Sequence, residues 1–219
     1  MAISYTQHEE LANSLTHGIG VVIGLAASAV FLYISYMRYD ALACLGVWLY
    51  AFGVTSSYLS STLYHGSRQG SRHREILRKL DHSAIYWHIA GSYSPITLIG
   101  LQDNMLWGWI LFITVWGCAL IGSIMSFRGL KEHSNLETIC FVGMGMVVLL
   151  AFKPVLIAIG WTSMGWIIAE GVAFVTGAAF YSMNKLRYMH TVFHLFVLLG
   201  SVCHIMAIWY MFYNFSTNL

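Results

Sequence analysis

Charge is scarce in this sequence. Only 9% of its 219 residues are Asp, Glu, Lys or Arg, while 58% are hydrophobic; a water-soluble domain usually runs near a quarter charged. A surface this poor in charge cannot be wetted on all sides, so lipid must be the solvent for most of the chain. A large excess of charge of either sign is also missing. The formal net charge is +2, which argues against a nucleic-acid partner. There is no CxxC pair: Cys44, Cys118, Cys140 and Cys203 all fall in apolar stretches and read as small buried residues rather than a disulfide framework. No linker or shift of composition divides the chain, so a single domain over 1–219 is expected. The first fifteen residues are polar, with Glu9 and Glu10. That speaks against a cleaved signal peptide and for a short cytoplasmic segment, 1–15.

What is present is a series of long apolar runs. A helix needs about 20 apolar residues to span a bilayer. Seven stretches qualify, near 16–37, 42–64, 81–101, 106–127, 136–153, 157–182 and 191–213. The expected fold is all-α, a polytopic bundle of seven transmembrane helices. Lys153-Pro154 is expected to break the chain between the fifth and sixth spans, because proline lacks the amide hydrogen a helix interior needs. Tyr5, Trp107, Trp109, Trp161 and Trp166 sit near span ends, as an interfacial aromatic belt would.

Lys and Arg set the orientation. The N-terminus and the loops after spans two, four and six carry Arg68, Arg72, Arg74, Arg78, Lys79, Arg128, Lys131, Lys185 and Arg187. The opposite side holds Arg38 and Lys153. Positive charge gathers inside, so the N-terminus is expected in the cytoplasm and the C-terminus outside, in the cell's inner (plasma) membrane. The basic loop 66–80 also suits anionic lipid heads.

Polar residues inside a span are costly and suggest function. Here they converge. Span two ends with Ser61 and His65, span three begins with Asp81-His82, and span seven begins with His190 and His194. With the assigned orientation, all of these lie at one membrane depth. His190 and His194 are one helical turn apart on one face, a spacing at which two imidazoles bind one metal ion. His65 can supply a third ligand from a facing helix. Three neutral nitrogens and an open fourth position describe a catalytic zinc (Zn2+) site. Asp81 could hold and deprotonate the water there. Ser61, one turn from His65, could donate to a developing oxyanion. The plain alternative is that each histidine only hydrogen-bonds within the bundle.

Glu10, Asn13 and His17 share one face as the chain enters span one, either as site residues or as a helix N-terminus rich in capping groups. His204 lies too far along its helix from His194 for the same ligand shell, and both it and His88, two turns deeper than Asp81, read as hydrogen-bonded inside the bundle or lining a cavity. Glu170 in span six reads as a satisfied or snorkelling acid on the outer half.

In order, Glu10-x-x-Asn13-x-x-x-His17, Ser61-x-x-x-His65, Asp81 and His190-x-x-x-His194 resemble the motifs of the progestin and adipoQ receptor family. The short tails and the run Leu80-Asp81-His82-Ser83 through Gly91-Ser92-Tyr93-Ser94-Pro95 resemble its bacterial branch, the hemolysin III-like or membrane-homeostasis proteins. The resemblance covers essentially the whole chain. It implies a seven-helix bundle with an intramembrane zinc near the cytoplasmic face, His65, His190 and His194 as ligands, and Asp81 on the zinc-held water. It also implies membrane lipids as partners, and either hydrolysis of a lipid amide or ester or a role in membrane homeostasis. The short tails count against binding of a protein hormone.

Three readings follow: a zinc-dependent lipid hydrolase, a non-enzymatic membrane-state sensor with structural zinc, and a cytolysin. The last fits worst, since a delivered pore-former must tolerate water. The orientation is directly testable. A cysteine placed at Gly70 is expected to be protected from an impermeant label added outside intact cells, and a probe after Leu219 is expected to react; the reverse pattern would invert the assignment.

Overall fold

The computed structural model describes residues 5–38, 40–128, 135–183 and 186–217. Lys131, Lys185 and Leu219, which entered the orientation argument, lie outside the described residues. The described residues form seven α-helices: α1 Gln7–Arg38, α2 Ala41–Gly66, α3 Arg72–Pro95, α4 Met105–Phe127, α5 Asn135–Gly145, α6 Phe152–Ser182 and α7 Met189–Thr217. A π-turn, Ile96–Gly100, extends α3, and a 3-10 segment, Met146–Ala151, joins α5 to α6. The strands are absent among the described residues.

Local chemistry sets the helix starts. Thr6 and Glu9 form a reciprocal capping box: the Thr6 amide donates to Glu9 Oε2 at 2.9 Å and the Glu9 amide to Thr6 Oγ1 at 3.3 Å. Asp40 caps α2 through the Ala43 amide, and Ser71 caps α3 through the Arg74 amide. The start of α1 therefore lies well before residue 16, and Glu10, Asn13 and His17 are all helical.

Among the described residues five stretches are long and apolar enough to cross a membrane: Gln7–Met37, Ala41–Gly66, Gln102–Phe127, Leu136–Ser182 and Met189–Asn214. The pattern reading expects seven. The difference has two causes. The expected spans 136–153 and 157–182 run together as one helical stretch, and α3 carries Arg72, Arg74, Glu75, Arg78, Lys79 and Asp81 in its first half. The expected break at Lys153-Pro154 also moves. Pro154 sits in the first turn of α6, where its missing N–H is harmless. The kink falls at Gly160, whose φ of 78° suits glycine. Asn214 from α7 donates to the Ile159 carbonyl at 3.1 Å, satisfying an acceptor at that bend.

The helices pack mainly with sequence neighbours, α1 on α2, α2 on α3, α3 on α4 and α6 on α7, and α7 returns to pack on α1. Phe31, Tyr50, Val54, Ile99, Ile159 and Met211 fill the central core. Outward faces are apolar: Val22, Trp48, Ile113, Leu150, Ile157 and Trp161 are all exposed, which suits lipid and not water. All four cysteines are free.

The α2–α3 contact is the closest in consequence. A methyl group on Gly53 would overlap the Trp87 carbonyl, and one on Gly91 would sit 2.8 Å from the Leu49 carbonyl oxygen. This crossing brings Ser61 of α2 alongside Asp81 of α3. Gly53→Ala and Gly91→Ala are each expected to cost about 1–3 kcal/mol by overpacking, measured as a lower Tm in detergent. Gly143→Ala, which meets nothing within 4 Å, should leave Tm unchanged or slightly raised.

Candidate metal centre

Closure of α7 onto α1 and α2 places the site at the end of the bundle where α2 finishes and α7 begins. His65, His190 and His194 each present a ring nitrogen there, and the three nitrogens lie within 4.8 Å of one another. His65 and His194 are buried; His190 is half-buried. His65 Nε2 and His190 Nε2 are 3.2 Å apart. Two ligands at about 2.0–2.1 Å from a tetrahedral zinc lie about 3.3 Å apart, so the spacing fits that donor set.

The partners of the rings fix which nitrogen faces inward. Glu10 Oε2 lies 2.7 Å from His65 Nδ1. A carboxylate accepts, so Nδ1 carries the proton and Nε2 presents its lone pair. The Asn13 carbonyl oxygen lies 3.2 Å from His194 Nδ1, and the same logic frees His194 Nε2. Such carboxylate and carbonyl partners are what orient histidine ligands around metals.

Glu10 is itself anchored. Arg74 pairs with its other oxygen, Gln69 donates to that oxygen at 3.4 Å, and Arg74 also donates to the Tyr64 and Ser67 carbonyls at 2.9 and 2.8 Å. Asn13 accepts from Thr191 through its side chain. Glu9 accepts from the Tyr188 amide at 2.9 Å, which holds Tyr188 in the left-handed region at φ 61° just before α7 begins. The open choice for Glu10 and Asn13 thus resolves toward the site, while capping falls to Glu9 and Thr6.

Asp81 faces Ser61 and His65, and no carboxylate joins the three-nitrogen group among the described residues. Ser61 Oγ is buried beside the Asp81 carboxylate. Asn13 Nδ2 and both ring nitrogens of His17 are buried with no hydrogen-bond partner, and the His17 ring stacks on His194 at 3.5 Å. Orphaned polar atoms around a histidine cluster fit a site built to hold a polar group.

Two features escaped the pattern reading. Tyr5, expected in an interfacial belt, lies over the site, 5.1 Å from the His190 ring and 6.1 Å from that of His65. Glu137 of α5 is buried and accepts from His82 Nδ1 at 2.7 Å and Ser126 Oγ at 2.6 Å, beside Asp81. The spacing of Glu137 to any other polar residue carries no signal. His88 and His204 are hydrogen-bonded inside the bundle, to Ser201 and Glu170. Glu170 is satisfied by His204 and sits near the middle of α6.

These features define a multi-pass helical membrane protein with a buried histidine centre able to hold a metal ion. The profile of the family described as Haemolysin-III related matches residues 5–205, and the chain belongs to that family. It is 33% identical over 193 residues to "Hemolysin-3" of Bacillus cereus, covering 88% of this chain and 87% of that one. It is 34% identical over 198 residues to the "Hemolysin-3 homolog" of Bacillus subtilis (strain 168), covering 90% and 91%. The human "Monocyte to macrophage differentiation factor" is 25% identical over 228 residues, covering 97% and 88%.

Metal content separates ligands from neighbours. His65→Ala, His190→Ala and His194→Ala are expected to lose the metal and thermal stability together, while His204→Ala keeps the metal. Glu10→Gln should retain a weaker site, with affinity lower by about 10–100-fold. Metal analysis of purified protein against a chelator series checks each.

Proposed function

We propose that this chain is a seven-span inner-membrane protein, cytoplasmic at its N-terminus, that binds zinc through His65, His190 and His194 and hydrolyses an amide or ester bond of a membrane lipid. One observation carries the reading: three inward-facing imidazole nitrogens gather without a carboxylate among them, next to the Asp81 carboxylate and the buried Ser61 hydroxyl. A closed structural site usually has four protein ligands; a catalytic one keeps a position open.

When bound, zinc would polarise the scissile carbonyl and make water available as a nucleophile near neutral pH. The residues of the chain supply the rest. Asp81 takes a proton from the attacking water as the new carbon–oxygen bond forms. It returns that proton to the departing nitrogen or oxygen as the amide or ester bond breaks. The Ser61 hydroxyl donates to the carbonyl oxygen as negative charge builds there. Glu10 and the Asn13 carbonyl hold two imidazoles in the tautomer that presents Nε2. Apolar outward faces leave the lipid tail in the bilayer while its head meets the site.

A second reading has support from the network around Glu10, which joins α1, α2 and the start of α3. There, zinc would pin helices in a sensor of membrane state and turn nothing over.

Asp81→Asn discriminates the two. It preserves shape and removes basicity. Under the hydrolase reading, zinc content stays near normal and lipid turnover falls about 10²–10⁴-fold, with both measured on one preparation. Loss of zinc would make Asp81 a ligand and sink the open-site mechanism. Undiminished turnover would remove Asp81 as the base.

A further inference from the structure

A second polar region lies deeper in the bundle. Glu170 of α6 and His204 of α7 both sit near the middle of their helices, with His204 Nδ1 2.9 Å from Glu170 Oε2. Their side chains are 12% and 3% exposed. Among the described residues no lysine or arginine pairs with Glu170. The titratable groups that face it are His204 and Cys203 from α7, Tyr50 and Tyr58 from α2, and Tyr93 from α3. None supplies a permanent positive charge. An ionised carboxylate beside a neutral imidazole would leave one net negative charge in an apolar interior, a costly state. One proton more, on either partner, makes the pair neutral.

The pair also has a connection. His204 Nε2 and the Tyr50 hydroxyl are buried without partners, and their rings stack at 5.5 Å. His88 of α3 faces His204. His88 Nε2 is 3.4 Å from Ser201 Oγ, which accepts from the Tyr58 hydroxyl at 2.7 Å. The phenol donates to the serine, and with His88 protonated on Nδ1 the serine donates to its Nε2, so that in this tautomer the hydrogen bonds run in one direction. Tyr58 in turn packs edge-on against His17, 5.0 Å away, beneath the three histidines. His88, Ser201, Tyr58 and Tyr50 are all buried.

We propose that Glu170 and His204 form an intramembrane proton-binding site, reached from the histidine end of the bundle through Tyr58, Ser201 and His88. A proton arriving at His204 Nε2 makes the ring an imidazolium. Its Nδ1 proton passes to Glu170 Oε2, leaving a neutral ring protonated at Nε2 and an un-ionised acid. The release runs the same steps backward. This needs the bundle, but neither the metal nor the hydrolytic reaction.

The test uses the full chain, labelled with 15N-histidine, in lipid nanodiscs at pH 7. Nitrogen NMR reads the protonation of His204 and infrared spectroscopy reads un-ionised carboxyl. The expected result is a doubly protonated His204 or an un-ionised carboxyl in the wild type, either one lost in Glu170→Gln. A singly protonated His204 together with an ionised Glu170 in the wild type overturns the proposal, whatever the variants do. Should Glu170→Gln fail to fold, His204→Gln makes the assignment: the un-ionised carboxyl is expected there, and an ionised one overturns the proposal. Transfer to heavy water tests the route. Tyr58→Phe or Ser201→Ala should slow exchange at the pair about tenfold, and unchanged rates in both would overturn the connection.

Discussion

The Glu10 carboxylate sits where three helices meet, largely withdrawn from water, and such a group must be fully paired. Arg74 from the start of α3, His65 from the end of α2 and Gln69 from the connection between them converge on it. Each pairing has a structural effect. Arg74 returns the α2–α3 connection onto the last turn of α2 through two carbonyls. His65 has its tautomer and ring direction set. A half-satisfied network of this kind would be worse than an apolar one, so α1 is committed to one register against α2.

On the adjoining flank of the same face of α1, Glu9 and Asn13 do for α7 what Glu10 does for α2. Tyr188, Thr191 and His194 all bond to these two residues. One helix face, read every three or four residues, thus arranges both sources of the histidine cluster. α7 is organised by the same periodicity. His190, His194, Ser201 and His204 follow at helical spacing, so one stripe links the histidine cluster to the buried Glu170–His204 pair.

Much of this was legible from spacing alone. His190 and His194 share a face by one-turn separation, and positive-inside charge put His65 at their depth; the structure brings the three together. Other parts could not be read. An acid near a helix start looks the same whether it caps the helix or orients a ligand, and here adjacent Glu9 and Glu10 take different roles. Arg74 is indistinguishable in sequence from the other basic residues of its loop. Tyr5 near a span end fits an interfacial belt, and only the path of the chain shows that it covers the site. The kink at Gly160 escaped because a glycine in an apolar helix has many uses, whereas a proline advertises one.

The bond between Asn13 and His194 spans 181 positions of sequence. A ribosome delivers α1 to the membrane first and α7 last, so the Asn13 carbonyl that orients His194 waits through nearly the whole synthesis for its partner. During that interval the start of α1 holds polar groups that nothing yet covers, and contacts this distant form late. The histidine cluster therefore comes together only after most of the molecule has been made. Any metal loading would have to follow completed insertion, because a chain stalled before α7 has no histidine cluster to load.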